Sequence, residues 1–158
     1  LFTLVGAFFM AFNMPGYNAY RDTGIKTASQ GKLVVMLYEA AVKNLDEAVE
    51  RVSDDGKVEV RNIEKYNANI QKTQQILNEL QISLDMDKGG EMAKNLMSLY
   101  LYFNQQLMQA TLKHDKKILV FIRKQLADLC EAWKSAANST ANGPAYNSQM
   151  KTSLNITG

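Results

Sequence analysis

Residues 25–42 read IKTASQGKLVVMLYEAAV, and the fold follows from how this stretch is read. Ser29 is a good N-cap, able to accept a hydrogen bond from a free N–H of the first helical turn. An apolar run starts at Leu33. Leu33, Val34, Leu37, Tyr38, Ala41 and Val42 recur at helical spacing, and Leu45, Val49 and Val52 continue the face. Glu39, Lys43, Asp46, Glu47 and Glu50 fill most of the opposite side. The pattern predicts a long amphipathic helix over about 29–52, preceded by an aromatic arm containing Tyr17 and Tyr20. Gln30, Gly31 and Lys32 supply neither a proline nor a capping-box carboxylate, so the first turn is expected to fray.

Three more helices follow. Ser53 to Gly56 is a turn, with Gly56 suited to a positive φ. From Val58 or Val60 to Leu84, the residues Ile63, Tyr66, Ile70, Thr73, Leu77, Leu80 and Leu84 form a heptad seam. The rest of that helix is rich in amides, among them Asn67, Asn69, Gln71, Gln74 and Asn78. They make either an ordinary polar face or partners for another chain's backbone. A third helix is expected over 90–113, its face built from Met92, Leu96, Leu99, Tyr100, Phe103, Leu107, Ala110 and Thr111. Met97, Leu101, Tyr102 and Met108 widen that face beyond one stripe, so this helix needs cover on two sides. A fourth helix, capped by Asp115 and ending near Ala137, places Ile118, Phe121, Ile122, Leu126, Leu129 and Trp133 inside. Short connections between long helices make sequential neighbours antiparallel. The expected fold is all-α, an up-down-up-down four-helix bundle over 29–137. Residues 14–28 are the N-terminal arm, and 138–158, rich in Ser, Thr, Asn and Gly, are a disordered tail.

Composition excludes several functions. Net charge is +2 over 158 residues, with no block of five like charges, so no nucleic-acid partner is expected. Cys130 is the single cysteine and reads as a small core residue. His114 is the single histidine and reads as a turn residue between the third and fourth helices. A phosphotransfer bundle would carry its His on an exposed helix face. Asp85 and Asp87 lack the further oxygen ligands of a calcium loop, since Gly89 and Leu96 stand where those would be needed. With no Glu-x-x-His and no phosphate-binding glycine loop, neither catalytic residues nor a metal nor a cofactor is expected. Residues 1–13 begin LFTLVGAFFMAF. This stretch is too short to span a membrane and lacks the flanks of a secretion signal. It reads as an added apolar extension, with Met10 and Met14 as candidate starts, and membrane insertion is not expected.

Two clusters carry a resemblance. The first is Tyr17, Tyr20, then Thr27, Ala28, Ser29, then Met36, Leu37, Tyr38, Glu39, Ala40 and Ala41. The second is longer: Ser83 to Met86, Gly89 to Leu96 (GGEMAKNL), and Leu99, Tyr100, Leu101, Tyr102. Together they resemble the flagellin-specific export chaperones of the FliS family, over about residues 15–135. Trp133, four residues after Leu129, is similar to that family's helical ending. The resemblance implies a cytoplasmic chaperone that binds the C-terminal segment of flagellin and keeps it unpolymerised. It would then deliver flagellin to the flagellar type III export apparatus without ATP. Tyr17 and Tyr20 would form a movable arm. Leu33, Val34, Leu37 and Tyr38, together with Asn95, Leu99 and Tyr100, are candidate partner-binding residues, to be divided between groove and core. A homodimer through the surplus apolar surface is a further expectation. The alternative reading is a helical signalling or phosphotransfer module.

Overall fold

Four helices account for nearly all of the structure, a computed structural model that describes residues 29–142. They are α1 (Ser29–Glu50), α2 (Ile63–Ser83), α3 (Gly90–Lys113) and α4 (Lys116–Asn142). At 1.5 Å rise per residue each is about 32–40 Å long. Among the described residues there is no strand. The extension, the arm and most of the expected tail lie outside the described residues.

The buried residues step by threes and fours on every helix. They are Val34, Tyr38, Ala41, Leu45 and Ala48 on α1, and Tyr66, Ile70, Thr73, Leu77 and Leu80 on α2. On α3 they are Ala93, Leu96, Tyr100, Phe103, Leu107 and Ala110, and on α4 Leu119, Ile122, Leu126, Cys130 and Trp133. Such near-heptad seams favour packing at small crossing angles. α1 packs against α2 and α4, and α3 closes the ring against the same two helices. α1 and α3 are therefore the diagonal pair.

Cross-helix contacts fix direction. Lys134 Nζ pairs with Glu39 at 3.1 Å, Arg123 with Asp46 at 2.7 Å and Lys116 with Asp54 at 3.0 Å. Numbers fall along α4 as they rise along α1, so these helices run in opposite directions. Tyr66 donates to the Ala110 carbonyl (2.9 Å) and Gln74 to that of Asn104 (3.4 Å). α2 and α3 are opposed in the same way.

The turns obey local rules. Gly56 has φ +80° and donates its N–H to the Ser53 carbonyl at 2.9 Å. α1 stops at Glu50 rather than Val52, and Val60–Asn62 forms a 3₁₀ turn that delays α2 to Ile63. His114 sits in the left-handed region (φ 53°), its N–H on the Ala110 carbonyl at 2.9 Å, which closes α3. Asp115 caps α4 by accepting from the Lys117 N–H at 3.0 Å.

Three expectations change. Phe121 is not in the core but 47% exposed, and Leu119, at 0%, takes the inward position. Phe121 sits one residue, about 100°, away from the buried line through Ile122 and Leu126. α4 continues to Asn142 instead of ending at Ala137. Ala136 still packs inward at 5% exposure, and the first strong breakers in the sequence are Gly143 and Pro144. The first turn of α1 is held from a distance: the buried Trp133 indole donates to the Gly31 carbonyl at 2.8 Å. This tertiary bond ties the turn to α4; it satisfies none of the turn's free N–H groups, so it is an anchor and not a cap.

Candidate protein-binding surfaces

The centre of the bundle is polar at one point. Tyr38 of α1 and Tyr100 of α3 reach across the diagonal, and their hydroxyls hydrogen-bond to each other. Both are fully buried. Burial pushes both hydroxyls well above the usual phenol range. At neutral pH both are neutral hydroxyls shut inside the core. Tyr66 is similar: burial, with Asp115 nearby, moves it up to about 12. The His114 ring packs edge-on against Tyr66 with centroids 5.3 Å apart. His114 is therefore part of a helix stop, not a histidine displayed on a helix face.

The candidate partner-binding residues separate into three groups. Val34, Tyr38 and Tyr100 have 0% exposure and belong to the core. Leu33 and Leu37 are half-buried on the α1 flank that also carries Asn44, seven residues beyond Leu37. Asn44 pairs with Asn69 of α2 at 3.1 Å, so that flank faces α2. Asn95 is exposed and Leu99 half-buried. Nine residues of helix separate Asn95 from Asn104, half a turn round the axis, so Asn95 faces away from the α2 side. The bundle brings Tyr38 and Tyr100 together and keeps the Leu33–Leu37 and Asn95–Leu99 pairs on separate flanks. Tyr17 and Tyr20 lie outside the described residues.

Two surfaces remain. One is a groove between α1 and α4 with a volume of about 380 Å³. Charges of both signs line it, Glu39 and Asp46 on α1 facing Lys134 and Arg123 on α4. Hydrogen bonds to Glu39 and Glu131 raise the Lys134 ammonium above its ordinary range, and Asp46 does the same for Arg123. Cys130 forms part of its wall, and burial pushes its thiol up, so it stays a thiol and not a nucleophilic thiolate. These exposed pairs add little stability.

The other candidate surface is the α2–α3 seam. There Asn104 donates to Asn78 Oδ1 at 2.9 Å, while Gln74 reaches the Asn104 carbonyl. Beside this amide contact, Leu101 (54% exposed) and Met108 (58%) stand on α3. Leu101 and Met108 were legible as surplus apolar surface. Asn104 was not singled out, though the uncharged run from Asn95 to Leu112 was there to be seen. Among the described residues no cluster of His, Cys, Asp and Glu could hold a metal ion, and no helix is long and apolar enough to cross a membrane.

Comparison with known proteins places the chain in a family. Residues 13–140 match the family model for the flagellar protein FliS. The flagellar secretion chaperone FliS of Bacillus subtilis (strain 168) is 31% identical over 130 residues, covering 82% of this chain and 91% of the relative. The FliS chaperone of Campylobacter jejuni is 33% identical over 129 residues, 80% of this chain and 94% of its own. That of Salmonella typhimurium is 32% identical over 127 residues, 78% and 90%. The matched span contains the aromatic arm, both motif clusters and all four helices as far as residue 140, and on that ground the chain belongs to the FliS family of flagellar secretion chaperones.

Proposed function

We propose that this chain is an export chaperone that binds the C-terminal segment of flagellin in the cytoplasm. It holds the subunit unpolymerised and delivers it to the flagellar type III secretion apparatus. The observation that carries the reading is the family match over residues 13–140, which spans both motif clusters. The geometry supports it. The bundle core is complete, yet Leu101, Tyr102, Met108 and Leu112 of α3 stay 45–73% exposed. A Met- and Tyr-bearing helix face suits adaptable helix recognition. Tyr17 and Tyr20 are further proposed client contacts. Leu33, Leu37, Asn95 and Leu99 are the candidate contacts with surface to offer, while Val34, Tyr38 and Tyr100 support them from within. A client that folds on binding meets an ordering cost, which tempers its affinity.

Co-purification tests this. The full chain is expected to retain intact flagellin and to lose it when the flagellin C-terminal segment is removed. Binding that survives this truncation refutes the reading. A homodimer through the exposed α3 surface is the accompanying proposal on assembly, tested by light scattering of the client-free chain. The phosphotransfer alternative requires a displayed histidine, which His114 is not.

A further inference from the structure

α3 is the helix least embraced by its neighbours, since α1 takes the closest packing against α2 and α4. Its contact with α2 runs through amides. Asn67, Gln74 and Gln81 are spaced seven apart, so they share the α2 flank on which Gln74 meets Asn104. Along this seam, Asn67 Oδ1, Asn104 Oδ1 and Gln81 Nε2 are buried without a hydrogen-bond partner. Buried side-chain amides are normally paired, so three unpaired atoms on one seam need an explanation. Two acceptors and one donor are left over within about 20 Å, the length of fourteen helical residues.

The surroundings narrow what satisfies them. Met97, Leu101 and Met108, at helical spacings of four and seven, form an apolar stripe beside the amides. Leu101 and Met108 are more than half exposed. No Asp, Glu, Lys or Arg occurs in α3 from Asn95 to Leu112. From Asn67 to Ile82 the α2 positions on the same flank, Asn67, Gln71, Gln74, Asn78, Gln81 and Ile82, are uncharged as well, and the exposed Glu64 stands only at its N-terminal end.

We propose that the α2–α3 seam holds a helical segment of the secreted client whose docking face is aliphatic, interleaved with Asn, Gln, Ser or Thr, and free of charge. Charge complementarity selects this occupant. A charged side chain pressed here loses water and finds no counter-ion, whereas a neutral amide or hydroxyl finds a partner. The terminal torsion of an Asn or Gln is soft, so each unpaired amide swings outward to the incoming helix at small cost. The apolar stripe supplies affinity and the amides set register. The proposal rests on the chaperone reading and deepens it by naming the surface and the client chemistry.

The test uses the full chain and a labelled flagellin C-terminal segment as probe. Leu101→Lys and Met108→Lys are expected to weaken binding by about tenfold or more, with melting temperature unchanged because both positions are exposed. Phe121→Lys, at an equally exposed apolar position on α4, should change binding by less than about threefold. Asn67→Leu should weaken binding while raising the melting temperature, because it removes an unpaired buried acceptor. A merely structural residue would lower both. If wild type binds and the seam variants bind as well as it does, the seam is overturned and the chaperone reading stands. If wild type fails to bind, the reading falls and the seam with it. If the lysine variants abolish a dimer but leave client affinity intact, the occupant is a second copy and the proposal is overturned.

Discussion

Replacing Tyr100 with Phe isolates the polar centre of the bundle. Tyr38 would keep a hydroxyl in a site with no exposure and lose the Tyr100 oxygen it bonds. A buried group stripped of its partner costs about 1–3 kcal/mol, more than the net worth of the bond itself. For a chain of this length that is a fall of about 3–10 °C in melting temperature. The double variant Tyr38→Phe/Tyr100→Phe removes both hydroxyls and keeps both rings. It should recover most of the loss, since exchanging both partners for apolar groups of one shape is nearly neutral. The pair also predicts an alkaline limit. Both phenols are held above their ordinary value of 10 by burial, so at these two groups folded and unfolded chains bind equal protons well below pH 10. Above that, the unfolded chain releases protons that the folded chain retains. The unfolded state then binds fewer protons, and stability falls as pH rises, by about 1.4 kcal/mol per pH unit for each tyrosine. Urea unfolding at pH 8, 9, 10 and 11 reads both effects. The double variant should flatten the fall above pH 10 and leave the curve below pH 9 unchanged. A Tyr100→Phe cost below about 0.5 kcal/mol, or a double variant less stable than the sum of the singles, refutes the argument.

Trp133→Phe removes the donor to the Gly31 carbonyl and should cost about 1–3 kcal/mol, with faster amide exchange confined first to the opening turn of α1. Gly56→Ala forces a side chain to φ +80°, with its Cβ 3.3 Å from the His114 carbonyl oxygen. A loss of about 1–2 kcal/mol on thermal melting is expected, because neither backbone has slack. Leu119→Ala should cost about 2–5 kcal/mol and Phe121→Ala less than about 1, the reverse of what ring size suggests. His114→Asn keeps a residue tolerant of the left-handed region, so flagellin co-purification should be unchanged. Loss of binding there would reopen a functional role for the ring.

Much of the bundle was legible because its signals are local. Val34, Tyr38, Ala41 and Leu45 repeat by four and three, and the α2 seam from Tyr66 to Leu84 does so without a gap. Asp115 as a cap, Gly56 at positive φ and His114 in a turn follow from residue chemistry within a few positions. What stayed hidden depended on partners distant in sequence. Leu119 and Phe121 are both apolar and two apart, and only packing against α1 and α3 decides which one enters. Gly31 looks like a weak first turn until Trp133, 102 residues away, is seen to hold it. The amides of α2 were visible as a row. That they border an apolar stripe, and that three of their group along the seam are unpaired, required α3 to be laid beside them.

The helical parts of the two motif clusters lie mainly on the diagonal helices α1 and α3, and a hydrogen bond between Tyr38 and Tyr100 joins them. A polar contact at the centre of an apolar bundle fixes axial register, since any slip of α1 against α3 strands both hydroxyls. With α1 tied to α4 by Trp133 and Gly31, and α2 tied to α3 by Tyr66 and Ala110, the four helices are locked at both ends and the middle. The most recognisable residues, Tyr38 and Tyr100 above all, thus serve chiefly to set the bundle's register. The proposed docking seam instead uses positions whose residue types are individually ordinary, such as Leu101, Asn104 and Met108. Their meaning lies in being placed side by side on a frame that does not slip. This is why family membership is easy to read from the motifs, while the client chemistry proposed above rests on the seam.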